Sequence, residues 1–465
     1  MRSYINILFF IIILGLSSCE KFLDKSPNSK QAQVSTLADC QALLDDFNTM
    51  NASYPNDNEA SCDNYYLLDA TWTALANQED RDFYVWAAGA QHLSASLQWA
   101  APYKAMYYSN LVLENLQKIN SSDVTLNNTL RGSALFFRAF TAYSIAQLYA
   151  KPYNIATAGQ DMGIPFRTTT ALEVESERST VKETYDKIVQ DLNEAIPLLP
   201  VNSSIQTRPN KVAAYALLAR VYLSMEDYIN AGKMADESLK LYNVLMDYNS
   251  LDARATVPIA RFNPEVIFHA VTIFSDLLHI NNAKIDQILY DSYLVNDLRK
   301  TVFFRTNTVA QGGGFGFKGN YNGLATSILF CGLATDETYL IRAECYARAG
   351  NKESALADLN ALLKMRWNPN ATVPSNPYVD ITASNAEDAL KIILTERRKE
   401  LLYRCLRWTD LRRLNRDNRF KIDLVRKQNG NGATIATLPA NDLRYVLLIP
   451  QDVMTLTKVQ QNPRN

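Results

Sequence analysis

Apolar residues recur at intervals of three and four positions along most of this chain, which is the pattern of amphipathic helices. The pattern predicts helices over about 36–50, 95–118, 127–150, 180–196, 209–224, 228–242, 334–349, 352–366 and 386–404. Start signals support several of them, as where Ser179-Thr180 precedes Val181-Lys182-Glu183. The chain is therefore predicted to be mainly α-helical.

Two of the predicted helical pairs repeat one motif. Aromatic and alanine positions of the first pair recur 124 positions later, at the spacing of a tetratricopeptide repeat. The matched residues are Tyr215, Ala219, Tyr222 and Ala231 in the first copy and Tyr339, Ala343, Tyr346 and Ala355 in the second. Alanine suits positions where two antiparallel helices approach closely. Two generic amphipathic hairpins would give a similar pattern, and that alternative stays open.

The helical rhythm breaks in two long segments, at about 51–94 and 243–333. Within the second segment, Val266–Val271 has the character of a short strand, and Gly312–Phe317 that of a flexible aromatic loop. The sequence therefore predicts tetratricopeptide-like units over about 95–242 and 334–413, with the two irregular segments as insertions. Helical scaffolds with long insertions are typical of binding proteins.

The first residues predict export and a lipid anchor. A positive start is followed by an apolar run from Tyr4 to Leu16, which is too short to cross a bilayer and fits a signal peptide. Leu16-Ser17-Ser18-Cys19 has the form of a bacterial lipobox. We expect a signal peptide over 1–18, acylation of Cys19, a tether over 19–35 and one folded domain over 36–465. A plain secretory signal with an incidental cysteine is the alternative.

Composition excludes some classes of function. The chain has 465 residues, a formal net charge of −1 and a pI near 6.4, so it has no basic field for nucleic acid. No C-x-x-C pair and no His/Cys cluster of zinc spacing occurs in the sequence, so no zinc site, no metal in the ligand site and no cofactor are expected. Whether a calcium ion stabilises a loop stays open. A disulfide between Cys40 and Cys62 stays open, because a domain of this size does not need one.

Catalytic motifs are also lacking in the sequence. No G-x-S-x-G occurs, and the Gly312–Gly316 run is not followed by the lysine and hydroxyl residue of a phosphate loop. Pairs of carboxylates are common, but nothing marks one as held at hydrolytic distance. The sequence favours binding over catalysis.

Flat aromatic rings in the irregular segments are the candidate ligand contacts, because sugars pack their C–H faces against such rings while polar side chains bind hydroxyls. The candidates are Tyr65, Tyr66, Trp72, Tyr84, Trp86, Phe315 and Tyr321, with Phe317 beside them. Ordinary packing under a loop is the alternative for each ring.

The charged block Glu396–Arg413 is expected to form ion pairs that hold the scaffold together, and not an anion site. Glu396 and Glu400 are predicted to pair with Arg397, with Arg404 and with each other's neighbours in the helix. Asp410 is predicted to pair with Arg407 or Arg413, and Trp408 to lie in the core. These ion pairs are predicted from helical spacing alone.

A series of motifs lies in order along the chain: Cys19 with Phe22-Leu23-Asp24 and Pro27, Trp99 with Tyr103, Tyr107 and Asn110, Arg131–Phe140, Leu148-Tyr149, Gly163-Ile164-Pro165, Thr338–Glu344, Glu396–Leu401, Arg407–Arg413, and Leu448–Gln451 with Gln461-Asn462-Pro463. In this order the motifs resemble those of the SusD/RagB family of outer-membrane lipoproteins of Bacteroidetes. One departure is Arg404-Cys405-Leu406, where many relatives carry glycine. The resemblance spans nearly the whole predicted mature chain.

The resemblance implies a SusD-like fold and a binding protein on the cell surface, attached to the outer membrane. It also implies a partner, a SusC-like TonB-dependent transporter that this protein would close as a lid over an oligosaccharide. A peptide ligand, or a structural role in the transporter complex with little ligand affinity, are the alternatives. The insertions match no pattern that names the ligand.

Overall fold

The computed structural model describes residues 34–95, 97–369 and 377–464. The predicted signal peptide, Cys19 and the tether up to residue 33 lie outside the described residues. In chain order the helices are α1 (Leu37–Leu44), α2 (Phe47–Met50), α3 (Asp57–Ala60), α4 (Asp69–Ala74), α5 (Gln78–Tyr84), α6 (Ala100–Leu116), α7 (Val124–Tyr149), α8 (Val181–Leu198), α9 (Lys211–Ser224), α10 (Tyr228–Leu241), α11 (Gln287–Asp291), α12 (Arg299–Val302), α13 (Thr335–Arg348), α14 (Lys352–Lys364), α15 (Ala386–Glu400), α16 (Arg407–Leu414) and α17 (Gln451–Leu456).

The mainly helical fold is confirmed. The long predicted helices correspond to α6–α10 and α13–α15, and the capping box predicted at Thr180 is present, with Thr180 Oγ1 accepting from the Glu183 N–H. The predicted helix over 36–50 is two helices, α1 and α2, because the Asp46 side chain caps a new helix and interrupts the first.

The two matched hairpins, α9–α10 and α13–α14, pack directly against each other through α10 and α13. Their matched alanines are fully buried. The contact is so close that a Cβ placed on Gly232 would lie 3.0 Å from the Cβ of Cys345. Small residues at the seam therefore allow the stacking that the repeat pattern predicts.

Short antiparallel strands lie in the insertions and near the C-terminus. They are β1 (Tyr65–Tyr66), β2 (Val266–Phe268), β3 (Lys284–Ile285), β4 (Phe304–Thr306), β5 (Phe315–Phe317), β6 (Leu333–Ala334), β7 (Leu424–Lys427) and β8 (Thr434–Leu438). The pairs are β1 with β3, β2 with β6, β4 with β5 and β7 with β8. The predicted strand at Val266 is confirmed, although it is shorter than Val266–Val271.

The predicted flexible loop over Gly312–Phe317 is only half correct. Gly312, Gly313 and Gly314 have positive φ angles and form a tight turn. The following residues form β5, in which Phe315 lies opposite Thr306 of β4. The sequence does not predict this strand, because three residues are too few to show a period and the strand forms only by pairing with β4.

The charged block is confirmed as a buried ion-pair network. Asp410 accepts from Arg413 at 2.8 Å, as predicted, and from Arg397 at 2.9 Å. Glu344 on α13 accepts from both Nη atoms of Arg413, at 2.6 and 2.8 Å. Trp408 is fully buried, as expected.

The predicted pairing of Glu396 and Glu400 with Arg397 and Arg404 is wrong, although the neighbouring Lys399 does bind Glu396 at 2.8 Å. Arg299 of the second insertion binds both carboxylates, at 2.6 and 3.0 Å, and Arg366 binds Glu400 at 2.8 Å. Arg397 and Arg404 instead bind Asp410 and Asp336. Helical spacing favours local partners, but these carboxylates face two distant segments, so the second insertion supplies Arg299 and the segment after α14 supplies Arg366.

Cys40 and Cys62 are free thiols that lie in separate hydrophobic clusters. Burial, with a smaller contribution from Asp39, raises the pKa of Cys40 to about 11. Cys62 Sγ donates to Glu59 Oε1 at 3.2 Å. The disulfide left open by the sequence is therefore not formed. Among the described residues, no helix combines the length and apolar character needed to cross a membrane.

Candidate ligand-binding surface

Four of the seven candidate rings are core residues, which corrects the expectation that they face a ligand. Tyr65, Tyr84, Trp86 and Tyr321 are each at most 4% exposed. Their polar atoms are engaged internally: Tyr65 Oη donates to the Ala60 carbonyl, Tyr84 Oη accepts from the Leu67 N–H, Trp86 Nε1 donates to the Ser61 carbonyl, and Tyr321 Oη donates to Glu265. For these four rings, the alternative of ordinary packing under a loop is correct.

The three remaining candidates, Tyr66, Trp72 and Phe315, are partly exposed. Phe315 stacks on Tyr290 of α11 with ring centroids 3.4 Å apart and planes only 9° from parallel. Lys300 Nζ lies 4.7 Å from the Tyr290 centroid, a cation–π geometry that helps to hold this ring. Both rings of the pair are partly exposed and pack against the core on their inner side.

The glycine turn brings Tyr66 to the same place. A Cβ on Gly314, the residue before Phe315, would lie 2.9 Å from Tyr66 Oη. A Cβ on Gly430, in the loop between β7 and β8, would lie 2.6 Å from the Tyr66 ring. Because no side chain is present at either glycine, three segments distant in sequence can meet. We call Tyr66, Tyr290 and Phe315 the aromatic shelf.

Polar groups lie beside the shelf. The Asp69 carboxylate accepts from the Asn429 N–H at 2.9 Å, and Asn429 Oδ1 accepts from the Asp69 N–H at 3.0 Å. These reciprocal bonds join α4 to the loop between β7 and β8. Trp72, also on α4, donates from Nε1 to the Arg81 carbonyl at 3.2 Å and lies 6.2 Å from the Tyr84 ring. Trp72 is thus fixed near this surface but is not stacked on the shelf.

A buried histidine anchors the first insertion. His92 lies between two carboxylates, with Nε2 2.7 Å from Asp57 of α3 and Nδ1 2.7 Å from Glu79 of α5. Burial by itself would lower the pKa of His92, but the charges and hydrogen bonds of Asp57 and Glu79 outweigh it and raise the pKa to about 9. The resulting imidazolium ties together the helices that flank α4.

A pocket of about 160 Å³ lies between the segment that follows α11 and the C-terminal end of α14. Two aromatic rings form one side, Trp367 and Tyr378, with centroids 5.9 Å apart and planes at 71°. Asp297, Glu396 and Lys399 line the polar side, with Arg299 between them. We call this the Trp367–Tyr378 pocket.

The carboxylates of this pocket are poorly suited to proton transfer. Asp297 accepts from Arg299 at 2.7 Å and from Lys399 at 3.3 Å, and Glu396 accepts from the same two cations at 2.6 and 2.8 Å. Burial would raise the pKa of Asp297, but Arg299 and Lys399 outweigh it and lower the pKa, so the group stays ionised. Both carboxylates are fixed acceptors, which suits binding.

A larger cleft of about 450 Å³ lies between the segment after α7 and the end of α16. Its charged side chains are already paired, as in Lys151 with Asp161 at 2.6 Å and Arg416 with Glu226. Tyr445 lines it but is buried. Without an exposed ring among its lining residues, this cleft is a weaker candidate than the shelf and the Trp367–Tyr378 pocket.

Sequence reasoning missed Tyr290, Trp367 and Tyr378. Tyr290 lies in the second insertion, in an apolar stretch that resembles a helix, whereas the candidate rings have polar or glycine neighbours that indicate a loop. Trp367 and Tyr378 follow the second repeat hairpin, within the stretch 334–413 that the sequence predicts to be helical scaffold. The signal available was that both flank a segment rich in Asn and Pro, at 368–377.

Two family models match this chain. One, described as "starch-binding associating with outer membrane", matches residues 21–223, and the other, described as "SusD family", matches residues 335–463. The chain belongs to the SusD/RagB family. Members of this family are described as sugar-binding proteins, and the family description refers to association with the outer membrane.

Similar proteins agree with this assignment. The SusD-like protein P2 of Formosa agariphila is 24% identical over 495 aligned positions, which cover 90% of this chain and 92% of that protein. A putative sugar-binding protein from Bacteroides vulgatus has a TM-score of 0.72 at 20% identity, covering 93% of this chain and 99% of that one. A laminarin-binding SusD-like protein has a TM-score of 0.63 at 16% identity, covering 92% and 98%. The structural likeness at these identities establishes the SusD fold.

Proposed function

We propose that this protein is a non-catalytic lipoprotein that captures an oligosaccharide at the outer membrane and delivers it to a SusC-like TonB-dependent transporter, over which it acts as a lid. The observation that carries the binding step is the aromatic shelf. The nearly parallel stack of Phe315 on Tyr290 gives a fixed, partly exposed apolar surface, and the C–H surfaces of a sugar ring are complementary to aromatic surfaces of this kind.

The polar surroundings of the shelf support a glycan ligand. Asp69 and Asn429 supply carboxylate and amide groups of the kind that bind hydroxyls, on segments that their own hydrogen bonds already fix. A site that is ordered before the ligand arrives loses less conformational entropy on binding. The sugar-binding and laminarin-binding proteins that share this fold make an oligosaccharide the first ligand class to test.

The absence of catalysis is part of the proposal. It rests on the engaged carboxylates of the Trp367–Tyr378 pocket and on the lack of catalytic motifs in the sequence. Incubation of the protein with the glycans that it binds should leave their chain length unchanged in chromatography. Release of shorter products would contradict this part of the proposal.

A ligand-binding experiment tests the shelf. We expect a screen on a glycan array, followed by calorimetry, to find at least one linear oligosaccharide that binds. Tyr290→Ala should weaken that binding about tenfold or more, because it removes one ring of the stack. Tyr107→Ala, which changes an exposed ring on α6, is the matched control and should bind as the wild type does.

Other results of the same screen would change the proposal. Binding of peptides in place of glycans would move the protein to a peptide-binding role. No binding to either class, together with tight co-purification with a barrel protein, would favour a structural role in the transporter complex. Equal binding by Tyr290→Ala and the wild type would remove the shelf from the site.

The anchor and the partner need separate tests. Mass spectrometry of the native product should find an acylated N-terminal cysteine at position 19, and Cys19→Ala should move the protein from the membrane to the soluble fraction. Affinity purification of the wild type from membranes should recover a TonB-dependent transporter. An unacylated N-terminus would overturn the lipoprotein assignment, and recovery of no barrel would overturn the role as a lid.

A further inference from the structure

The Trp367–Tyr378 pocket and the aromatic shelf share one segment of chain. Tyr290 of the shelf precedes Leu294 of the pocket by four residues, and Lys300, which contacts the Tyr290 ring, follows Arg299 of the pocket. Both sites therefore lie along residues 290–300. The two sites are therefore neighbours along the chain.

The two rings of the pocket are held in position by their own elements. Tyr378 Oη donates to Asn360 Oδ1 of α14 at 2.5 Å, and the Ile381 N–H donates to the same oxygen at 2.8 Å. Trp367 pairs with Asp297 through the backbone, and its carbonyl accepts from Asn249 Nδ2 at 2.9 Å. The angle between the rings is therefore set by the fold before any ligand binds.

The described charged side chains that line the pocket are all ion-paired, since Arg366 binds Glu265 at 2.7 Å and Glu400 at 2.8 Å. Asp297 and Glu396 are balanced by Arg299 and Lys399, and each carboxylate contacts both cations. An anionic or cationic ligand would have to compete with these buried pairs. A neutral ring with an apolar face and several hydroxyls would meet both aromatic surface and fixed hydrogen-bonding groups.

The size of the pocket limits what enters it. Its volume of about 160 Å³ is well below that of ordinary small-molecule sites, which begin at roughly 300 Å³. Leu294 at its rim is 62% exposed, and Val379 is 72% exposed. These apolar side chains are open to solvent, and they border an opening that is suited to one sugar ring.

We propose that the Trp367–Tyr378 pocket binds the terminal residue of a neutral oligosaccharide, whose following residues lie across the aromatic shelf. This inference rests on the proposed function and adds recognition of a chain end. The shelf is open and accepts units within a chain, whereas the pocket admits one unit, so a chain must enter by its end.

Calorimetry with a length series tests this proposal. The probes are laminari-oligosaccharides of increasing length and laminarin, or the equivalent series of another neutral linear glycan if the array selects one. We expect the affinity per chain to become constant once the pocket and the shelf are filled, because each chain offers one terminal residue. An affinity per chain that rises in proportion to the number of internal residues would overturn end recognition, as would selection of acidic glycans alone.

Variants of the pocket give the second arm. Trp367→Ala should weaken binding of the short oligosaccharides about ten- to a hundredfold. Leu294→Arg places a long charged side chain at the rim without changing the core, so it tests entry even if Trp367→Ala disturbs folding. Leu456→Arg, at an exposed leucine of α17, is the matched control and should bind as the wild type does.

The outcomes separate this inference from the proposed function. If Tyr290→Ala loses binding while Trp367→Ala and Leu294→Arg retain wild-type affinity, the pocket is not part of the site and the shelf remains. If the wild-type protein binds no glycan, both proposals are wrong. Loss of binding in both pocket variants and in Tyr290→Ala, with Leu456→Arg unaffected, supports one continuous site.

Discussion

At the scale of single residues, the interior of this protein contains many charges, and each depends on a specific partner. Glu344 is an example. Burial would raise its pKa, but Arg413 and Arg348 outweigh it and lower the pKa to about 2. Removing one member of such a pair leaves the other buried without its partner, which is more costly than losing an exposed pair.

His92 gives a prediction about pH. Its folded pKa of about 9 lies above the ordinary value of 6.5, so its stabilising effect is fully present below pH 6.5 and is lost as the pH rises through 9. His92→Gln should therefore lower the free energy of unfolding by up to about 3 kcal/mol at pH 6.5 and much less at pH 9.5. Urea unfolding at both pH values measures this difference.

His279→Gln is the control for that measurement. The His279 ring accepts from the backbone N–H of Asn281 and contacts no carboxylate in the described structure. This variant should keep the pH dependence of the wild type. An equal loss of stability at both pH values in His92→Gln would show that packing, and not the charge between Asp57 and Glu79, is what His92 contributes.

At the scale of elements, the stacked hairpins depend on small residues where helices approach closely. Ala355 on α14 is fully buried, and Ala357, two residues later on the same helix, is exposed. Ala355→Leu should lower the free energy of unfolding by about 1–3 kcal/mol, because the larger side chain must push the helices apart. Ala357→Leu should have little effect. Thermal or urea unfolding of both variants checks the prediction, and equal stability would argue against close packing of α14 against α13.

The insertions follow a different rule from the hairpins. Their strands have two to three residues and pair with partners that are distant in sequence, as β1 with β3. Short strands carry little periodicity, so sequence patterns locate the insertions but not their internal structure. The glycine turn before Phe315 illustrates the limit: the positive φ angles are readable from the glycines, but the strand that follows depends on β4.

At the scale of the whole molecule, the C-terminal hairpin β7–β8 holds the first insertion in place. Arg426 of β7 donates to the carbonyls of Tyr65, Tyr84 and Cys62, at 2.7, 3.0 and 2.9 Å. Its guanidinium lies 4.3 Å from the Tyr84 ring centroid and 4.8 Å from that of Trp86. One side chain thus joins segments about 340 to 365 residues apart.

Loss of this contact should affect the whole fold. Arg426→Met should lower the free energy of unfolding by about 3 kcal/mol or more, because several buried carbonyls lose their donor. Arg419→Met, at an exposed arginine paired with Asp417, should cost less than about 1 kcal/mol. Urea unfolding measures both. A cost for Arg426→Met as small as that for Arg419→Met would show that the insertion is held by other contacts.

The same contact explains why several candidate rings were placed wrongly by sequence reasoning. Tyr65, Tyr84 and Trp86 lie among polar residues in an irregular segment, which is also where ligand-binding rings lie. The arginine that covers them is remote in sequence and sits in an ordinary strand pattern. The sequence near these rings therefore does not indicate that Arg426 buries them. Phe315 differs, because the glycine turn directly before it is visible in the local sequence.

The sequence by itself determined the helices, the repeat of Tyr215–Ala231 at Tyr339–Ala355, and the family, because these depend on spacing that is local or that recurs in order. The tertiary structure decided which rings are exposed, that Glu396 and Glu400 bind Arg299 and Arg366, and that Tyr290 meets Phe315. These depend on which distant surfaces meet, and burial and charge pairing across such surfaces leave no period in the chain. The binding surface is therefore a product of the fold, built on a scaffold that is readable from the sequence.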